Sequence, residues 1–445
     1  MRCRLGFALL AGVCLGIVGG SSVNAAGFYI QEQSVSGLGS AFSGSVTSIE
    51  DPSTVYFNPA GMTKLKGIQA QAGVHLLIPS ADIDNTGSTQ AAALGGGPLS
   101  GGDGGNPYDP SPVPNAFITY QVNDQFWAGL GISAPFGLAN EYDSDWFGRF
   151  DSIKTELTTI DVQPSIAYKV SDWLSIGGGI NVQYADAELT SAAAAGPGAG
   201  PFAAGTEGLS TLEGDDWSFG YTLGVQVKPR ESTTIGMSYR SAVSHELEGR
   251  LSAEGTTIAD FDVAGRADLG LPDIATFGVA QDVGSKWKVH GQATWFGWNN
   301  FQEINATTDE TFSVLGGALT RNAGDTVSNV VQNYQTTWAY ALGADYEHSE
   351  DLTLRVGVQY DETPTTDLYR TSRTPDGDRT WVAGGGTYDI NENMSLDFAA
   401  TYIWISDESI SVNRNNSFSS ALENTFNADT SGNVGIVAMG LTYKF

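Results

Sequence analysis

Residues 26–66 read AGFYIQEQSVSGLGSAFSGSVTSIEDPSTVYFNPAGMTKLK and stand apart from everything that follows them. Small residues are interspersed with Phe28, Tyr29, Ile30, Val35, Leu38, Phe42, Val55, Tyr56 and Phe57, too many apolar groups for a solvated tail. Asn58-Pro59-Ala60-Gly61-Met62 closes the stretch. Pro59 disfavours αR at Asn58 and Gly61 permits a sharp reversal, so the pentapeptide reads as a fixed turn. After Gly67 the chain alternates with a period of two. A compact, strand-poor head followed by strands alone predicts a plug, residues 26–66, seated in a β-barrel, residues 67–445.

Ahead of the plug, Met1-Arg2-Cys3-Arg4 precedes an apolar run and the small-residue stretch Ser21-Ser22-Val23-Asn24-Ala25. A basic start, a short apolar core and a small-residue cleavage site predict a signal peptide over 1–25. Cys14 admits a lipoprotein alternative, but Val13 is too bulky for that processing site. Both cysteines, Cys3 and Cys14, fall in the removed segment, so the exported chain has neither disulfide nor thiol chemistry. Loss of Arg2 and Arg4, with no acid lost, takes the formal charge from −29 to −31. That balance argues against nucleic-acid binding. No later stretch approaches twenty consecutive apolar residues, so no membrane-spanning helix is expected. An exported, cysteine-free chain rich in glycine and aromatic residues, and read as β throughout, points to a bacterial outer membrane.

Alternation places fourteen strands at 67–80, 113–122, 125–137, 156–170, 173–188, 216–228, 232–248, 265–283, 286–304, 332–347, 351–361, 379–390, 394–406 and 432–445. Short turns and long polar or Gly-rich loops alternate between them, with both termini on the short-turn side. The all-β fold expected is therefore a 14-stranded antiparallel transmembrane β-barrel plugged by a small N-terminal hatch. In 351–361, Leu352, Leu354, Val356, Val358 and Tyr360 alternate with Thr353, Arg355, Gln359 and Asp361, which fits lipid outside and a lumen inside. Trp127, Trp173, Trp217, Trp287, Trp381, Tyr402 and Trp404 are candidates for the interfacial girdles. Phe445 ends an amphipathic last strand, a pattern resembling the signal read by the outer-membrane barrel assembly machinery.

Ala26-Gly27-Phe28, Asn58-Pro59-Ala60-Gly61-Met62, Ala134-Pro135-Phe136-Gly137, Trp146-Phe147-Gly148-Arg149-Phe150, Ser238-Tyr239-Arg240-Ser241, Leu271-Pro272-Asp273 and Arg373-Thr374-Pro375-Asp376-Gly377-Asp378-Arg379, in that order, resemble the FadL family of outer-membrane transporters, which includes aromatic-hydrocarbon importers. The resemblance covers essentially the whole mature chain. It implies passive inward diffusion of hydrophobic molecules. The ligand is caught in a groove among outer loops and passed to a lumen pocket contacted by the hatch N-terminus, where Phe28 matches the family aromatic. It is then released through hatch movement and a kinked third strand.

A fatty acid needs an apolar slot and one or two cations. Arg240 and Arg355 point inward by alternation; Arg149 lies in an outer loop beside Trp146 and Phe150. Phe117, Phe136, Leu138, Phe147 and Phe202 are further candidates for the capture groove. The structural alternative is that the cations pair with lumen carboxylates such as Asp161 or Asp361. Arg370, Arg373, Asp376, Asp378 and Arg379 read as a loop ion-pair cluster. Residues 58–62 are the expected moving part. No cofactor, nucleotide or metal motif is read, and the histidines lack ligand spacing. Three alternatives stay open: an importer of uncharged hydrocarbons, a general porin, and an outer-membrane hydrolase built on His245. The expected protein is a monomer.

Overall fold

The computed structural model describes residues 27–92, 96–193, 207–256, 260–414 and 424–445. The expected signal peptide and cleavage site, Ala26 and Phe202 lie outside them. Fourteen antiparallel strands close into one barrel. They are β1 (Ile68–Asn85), β2 (Ser111–Gln121), β3 (Phe126–Ser133, resuming as Gly137–Glu141), β4 (Lys154–Ser171), β5 (Leu174–Ala193), β6 (Gly208–Arg230), β7 (Thr233–Arg240 and Val243–Glu254), β8 (Phe261–Leu271 and Ile274–Val283), β9 (Trp287–Phe296 and Glu303–Thr308), β10 (Thr326–Val331 and Thr337–Glu347), β11 (Leu352–Asp361), β12 (Arg379–Asn391), β13 (Met394–Arg414) and β14 (Asn424–Lys444). β1 pairs with β2 on one side and with β14 on the other, so no edge is left open.

Several strands run further outward than alternation foretold. β6 begins at Gly208 rather than 216, and β13 continues to Arg414 rather than 406. Beyond the lipid the outward face turns polar, as at Asp186, Glu188, Glu213 and Asp215, while Ala187, Leu189 and Leu212 face the lumen, so the apolar-outward pattern is lost although the ladder continues. Five strands are interrupted. In β8 the break falls at Pro272, which has no N–H to give a ladder.

The faces are inverted relative to a water-soluble protein. Leu354, Val356, Val358 and Tyr360 are exposed, while Gln359 and Asp361 are buried. Trp173, Trp217, Trp287, Tyr402 and Trp404 are exposed, as girdle residues must be. Trp127 and Trp381 are not: both are buried on the inner face, and Trp127 Nε1 donates to the Leu65 carbonyl at 2.7 Å. These two rings pack against the N-terminal segment, which needs apolar partners inside the lumen.

That segment is buried almost throughout residues 27–65. Its regular pieces are short: α1 (Val35–Leu38), capped by the Ser34 hydroxyl accepting from Gly37 N–H, α2 (Thr54–Phe57), and a 3-10 turn at Pro59–Lys64. A segment this short on helix is held by the wall. The wall in turn is cut back to receive it. A Cβ on Gly357 of β11 would stand 2.0 Å from the Ser40 carbonyl oxygen, a contact only glycine allows.

Candidate functional site

The first element of the site is a break in the wall. β3 pairs with β2 only from Ala116↔Ile132 to Gln121↔Trp127, and its upper arm, Gly137–Glu141, pairs with β4. Between the arms, Ala134-Pro135-Phe136 leave the ladder, since Pro135 offers no donor. The N-terminal segment takes over the freed groups. Ile30 N–H donates to the Pro135 carbonyl at 2.8 Å and Gly137 N–H to the Phe28 carbonyl at 2.9 Å. Tyr29 and Phe136 form an antiparallel bridge. The Gln33 amide donates to the Ala134 carbonyl (2.8 Å) and accepts from Ala134 N–H (3.3 Å). Residues 27–33 thus form an arm laid across the gap.

Behind this arm lies a narrow apolar cavity of about 70 Å³, lined by Phe28, Leu138, Leu157, Ala187, Leu212, Leu247, Leu269, Phe301 and Ile304 among others. Phe28 sits in an aromatic cage, its ring centroid 4.8 Å from Trp298, 5.1 Å from Phe301 and 6.2 Å from Phe136. Gly27 has a φ of +68°, and a Cβ there would meet the Trp298 ring at 2.7 Å, so glycine is required where the chain enters the cage.

Charge at the cavity comes from one direction. Glu156, Glu213 and Asp268 border it from β4, β6 and β8, but alternation with Leu157, Leu212 and Leu269 sends their carboxylates outward. Glu213 and Asp268 are exposed, and Glu156 pairs with Lys154 at 2.8 Å. Among the described lining residues this leaves Arg373 as the charged side chain facing inward. Its guanidinium is buried and donates to the Lys154 carbonyl (3.1 Å), Thr155 Oγ1 (3.1 Å) and the Thr190 carbonyl (3.2 Å). It arrives from the loop between β11 and β12, which folds into the lumen. In the same loop Asp376 accepts from Gly27 N–H at 2.8 Å and pairs with Arg379. The expected loop ion cluster therefore forms in part, through Asp376 and Arg379, while Arg373 departs to the cavity.

The remaining candidates separate. Leu138 and Phe28 line the cavity, and Phe136 sits at the wall break. Trp146 is fully buried in a second aromatic cluster, stacked on Tyr142 at 4.1 Å and touching Phe147 and Phe426; Phe150 packs against its edge. Arg149 pairs with Glu207 at 2.8 Å, donates to the Ser100 carbonyl at 2.6 Å, and lies over the Phe150 ring at 4.9 Å, tying outer loops together. Phe117 belongs to β2 and packs under the N-terminal segment, not in an outer loop.

Arg240 does point inward, and it meets a carboxylate: Nη1 donates to Asp161 Oδ2 at 2.6 Å, while the guanidinium covers the Tyr56 ring at 4.2 Å. Arg355 lies elsewhere, in a polar cavity of about 340 Å³ at the short-turn end with Glu50, Lys288 and Asp345. There it donates to Thr387 Oγ1 at 2.6 Å. Asn58 links the N-terminal segment to the wall, its Nδ2 donating to the Val46 carbonyl within the segment (2.9 Å) and to the Val225 carbonyl of β6 (3.1 Å). Pro59, Ala60, Gly61 and Met62 are buried beside it. His245 hydrogen-bonds Asp216 (3.0 Å) and Gln183 (3.1 Å).

Trp298, Phe301 and Tyr334 were not singled out by sequence reasoning, and Arg373 was read as a member of a loop ion-pair cluster rather than as a cavity residue. Trp298 and Phe301 come from the β9 break and Tyr334 from the β10 break, and only folding brings them to Phe28.

The sequence profile of the family described as "outer membrane protein transport protein (OMPP1/FadL/TodX)" matches residues 16–445. A relative from Escherichia coli O6:H1, the long-chain fatty acid transport protein, is 29% identical over 412 residues, covering 85% of this chain and 86% of its own. Among solved structures, a Pseudomonas aeruginosa FadL homologue superposes with a TM-score of 0.83 at 23% identity, covering 94% of this chain and 100% of its own. The Pseudomonas putida toluene transporter TodX superposes at 0.65 with 18% identity, covering 95% and 100%. A closed fourteen-stranded barrel with a lipid-facing belt, and a family match running to the last strand, place this chain in the OMPP1/FadL/TodX family of outer-membrane transport proteins.

Proposed function

We propose that this protein carries long-chain fatty acids, or hydrophobic molecules of similar shape, passively across the outer membrane. The observation that supports this most is the apolar cavity with a single inward guanidinium, closed by a detachable arm at a break in the wall. An aliphatic tail fits a slot lined by Leu157, Leu247 and Leu269, and Arg373 supplies the cation for a carboxylate. The E. coli relative named for long-chain fatty acid transport agrees with that substrate class.

In this reading the cleaved signal peptide spans 1–25 and residues 26–66 act as a hatch that stays in the lumen. The Trp146 cluster and Phe150 receive the ligand from outside. The ligand then enters the cavity, competes with Phe28 for the apolar walls, and displaces residues 27–33 from β3. The gap at Ala134-Pro135-Phe136 then opens sideways into lipid. Downward release is disfavoured because the short-turn end is lined by Glu50, Lys288, Asp345 and Arg355, a costly environment for an alkyl chain. Residues 58–62, anchored to β6 through Asn58, serve as the fixed end of the hatch. Arg240 holds plug and wall together through Tyr56 and Asp161, Arg355 ties neighbouring wall strands, and Arg149 braces the outer loops.

No energy source enters this scheme. The barrel leaves no free edge, which supports a monomer, and the exposed Phe445 is the residue assigned to recognition by the barrel assembly machinery. A general porin reading fits poorly with a lumen filled by the N-terminal segment.

The test is saturable binding of oleate to purified protein, with toluene and hexadecane as competitors, repeated on Arg373→Gln. Oleate should bind, and the variant should lose at least about tenfold in oleate affinity, the scale of one buried charge-assisted contact, while hydrocarbon binding survives. Binding of hydrocarbons but not oleate would shift the assignment to uncharged substrates.

A further inference from the structure

The loop between β11 and β12 was expected among the outer loops, yet residues 370–377 are all buried. Within five residues this loop touches four other parts of the molecule. Ser372 donates twice to Asp151 Oδ2, from its backbone N–H (2.7 Å) and its hydroxyl (2.5 Å). The Ser372 carbonyl accepts from Tyr142 Oη at 2.8 Å, and the Arg373 carbonyl from Asn140 Nδ2 at 2.7 Å. Thr374 Oγ1 accepts from Tyr334 Oη at 2.8 Å. Asp376 holds the amide of Gly27.

The order of these contacts carries a meaning. Tyr142 is the ring stacked on Trp146, so Ser372 faces the outer aromatic cluster. One and two residues on, Arg373 and Thr374 line the lumen cavity. Two residues beyond those, Asp376 grips the arm that covers the wall break. The segment stands between the two apolar sites, and its far end is fastened to the gate. Its contacts are hydrogen bonds and ion pairs rather than interdigitated apolar side chains, so they can be exchanged for water or for a ligand headgroup without opening a void.

We propose that residues 371–376 form an inner gate between the Trp146 cluster and the Phe28-lined cavity, and that its displacement by an entering ligand also withdraws Asp376 from Gly27, freeing the arm. Entry and exit are thereby interlocked: passage through the first barrier loosens the second. This rests on the uptake reading above, with the coupling element now named.

The test is an Asp151→Cys/Ser372→Cys pair, whose side chains are in contact in the native structure and therefore within reach of a disulfide. Cys3 and Cys14 fall within the expected signal peptide, so removal of residues 1–25, checked by intact mass, leaves the engineered pair as the only thiols. Two readouts are taken on the oxidised and reduced forms: uptake of radiolabelled oleate into cells, and hydrogen exchange of the Ile30 and Gly137 amides in purified protein with and without oleate. The interlock requires that oxidation abolish uptake, that reductant restore it, and that oleate no longer speed exchange of the arm when the gate is tied. Ser372→Ala gives the opposite perturbation and should speed arm exchange several-fold. Undiminished uptake by the fully oxidised protein, or oleate-accelerated arm exchange that survives oxidation, overturns the proposal. If neither wild type nor reduced variant takes up oleate, the uptake reading fails by itself, and the effect of Ser372→Ala on arm exchange still decides the coupling.

Discussion

Phe28→Ala isolates what keeps the arm seated. Phe28 is 2% exposed and makes edge-on contact with Trp298 and Phe301. Truncating a buried phenylalanine removes about 3–5 kcal/mol. The arm is otherwise held to β3 and to the inward loop by a few hydrogen bonds worth about 1 kcal/mol each. The ring is therefore the dominant anchor, comparable with all the polar contacts together. Released into the cavity rather than into water, it regains some apolar contact, so the lower figure is the safer one: about 3 kcal/mol, or roughly a hundredfold rise in the unseated population. Hydrogen exchange reads this directly. The Ile30 amide, bonded to the Pro135 carbonyl, and the Gly137 amide, bonded to the Phe28 carbonyl, should exchange about a hundredfold faster, while amides in the β1/β14 seam stay unchanged. Equal protection of Ile30 in variant and wild type would refute the claim that the aromatic cage holds the arm.

Three other outcomes follow from the same contacts. Glu32, buried in the arm, has its carboxyl pushed up to about 7 by burial, only partly offset by Arg379. Because the seated state binds the proton more tightly than the released one, seating is strongest below the ordinary carboxylate range and weakens by about 3 kcal/mol as pH rises towards 7, flat beyond; arm exchange across pH 5–8 should show this, and Glu32→Gln should abolish it. Arg240→Ala leaves Asp161 buried without its cation and should cost about 3–5 kcal/mol in thermal unfolding, much of it recovered when Asp161 is also made apolar. Gly357→Val forces the wall off Ser40 and should lower the unfolding temperature, whereas Gly435→Val in β14, where a Cβ meets only the Ile78 carbonyl at 3.9 Å, should be nearly silent.

What the sequence made legible follows the period-two pattern and stops where that pattern stops. All fourteen strands could be located because lipid enforces apolar residues on one face across the membrane. Their outer ends could not, because above the lipid Asp186, Glu188, Glu213 and Asp215 face water and the apolar-outward pattern that marks the lipid belt ends. Trp127 and Trp381 misled as girdle residues: a filled lumen also wants large apolar groups, so an aromatic at a strand end does not declare its side. Parity did place Arg240 inward, and Asp161 was among its foreseeable partners. Parity also placed Arg355 inward, yet could not say at which depth, and depth separates the polar cavity from the apolar one. Arg373 was hidden for a different reason. Its loop read as an ion-pair cluster among the outer loops, and only the structure brings residues 370–377 inside. The cage around Phe28 draws on the N-terminal arm, β3 and the breaks in β9 and β10, a convergence with no local signature.

The measurement that bears most directly on the central claim is uptake by a Tyr29→Cys/Phe136→Cys variant. These residues face each other across the antiparallel bridge that closes the wall break, close enough for cysteines to be joined. The account predicts that oxidation stops oleate uptake, that reduction restores it, and that the oxidised barrel unfolds no earlier than the reduced one. Uptake at the wild-type rate from protein shown by mass to be completely cross-linked would contradict it: the arm would then not be the gate.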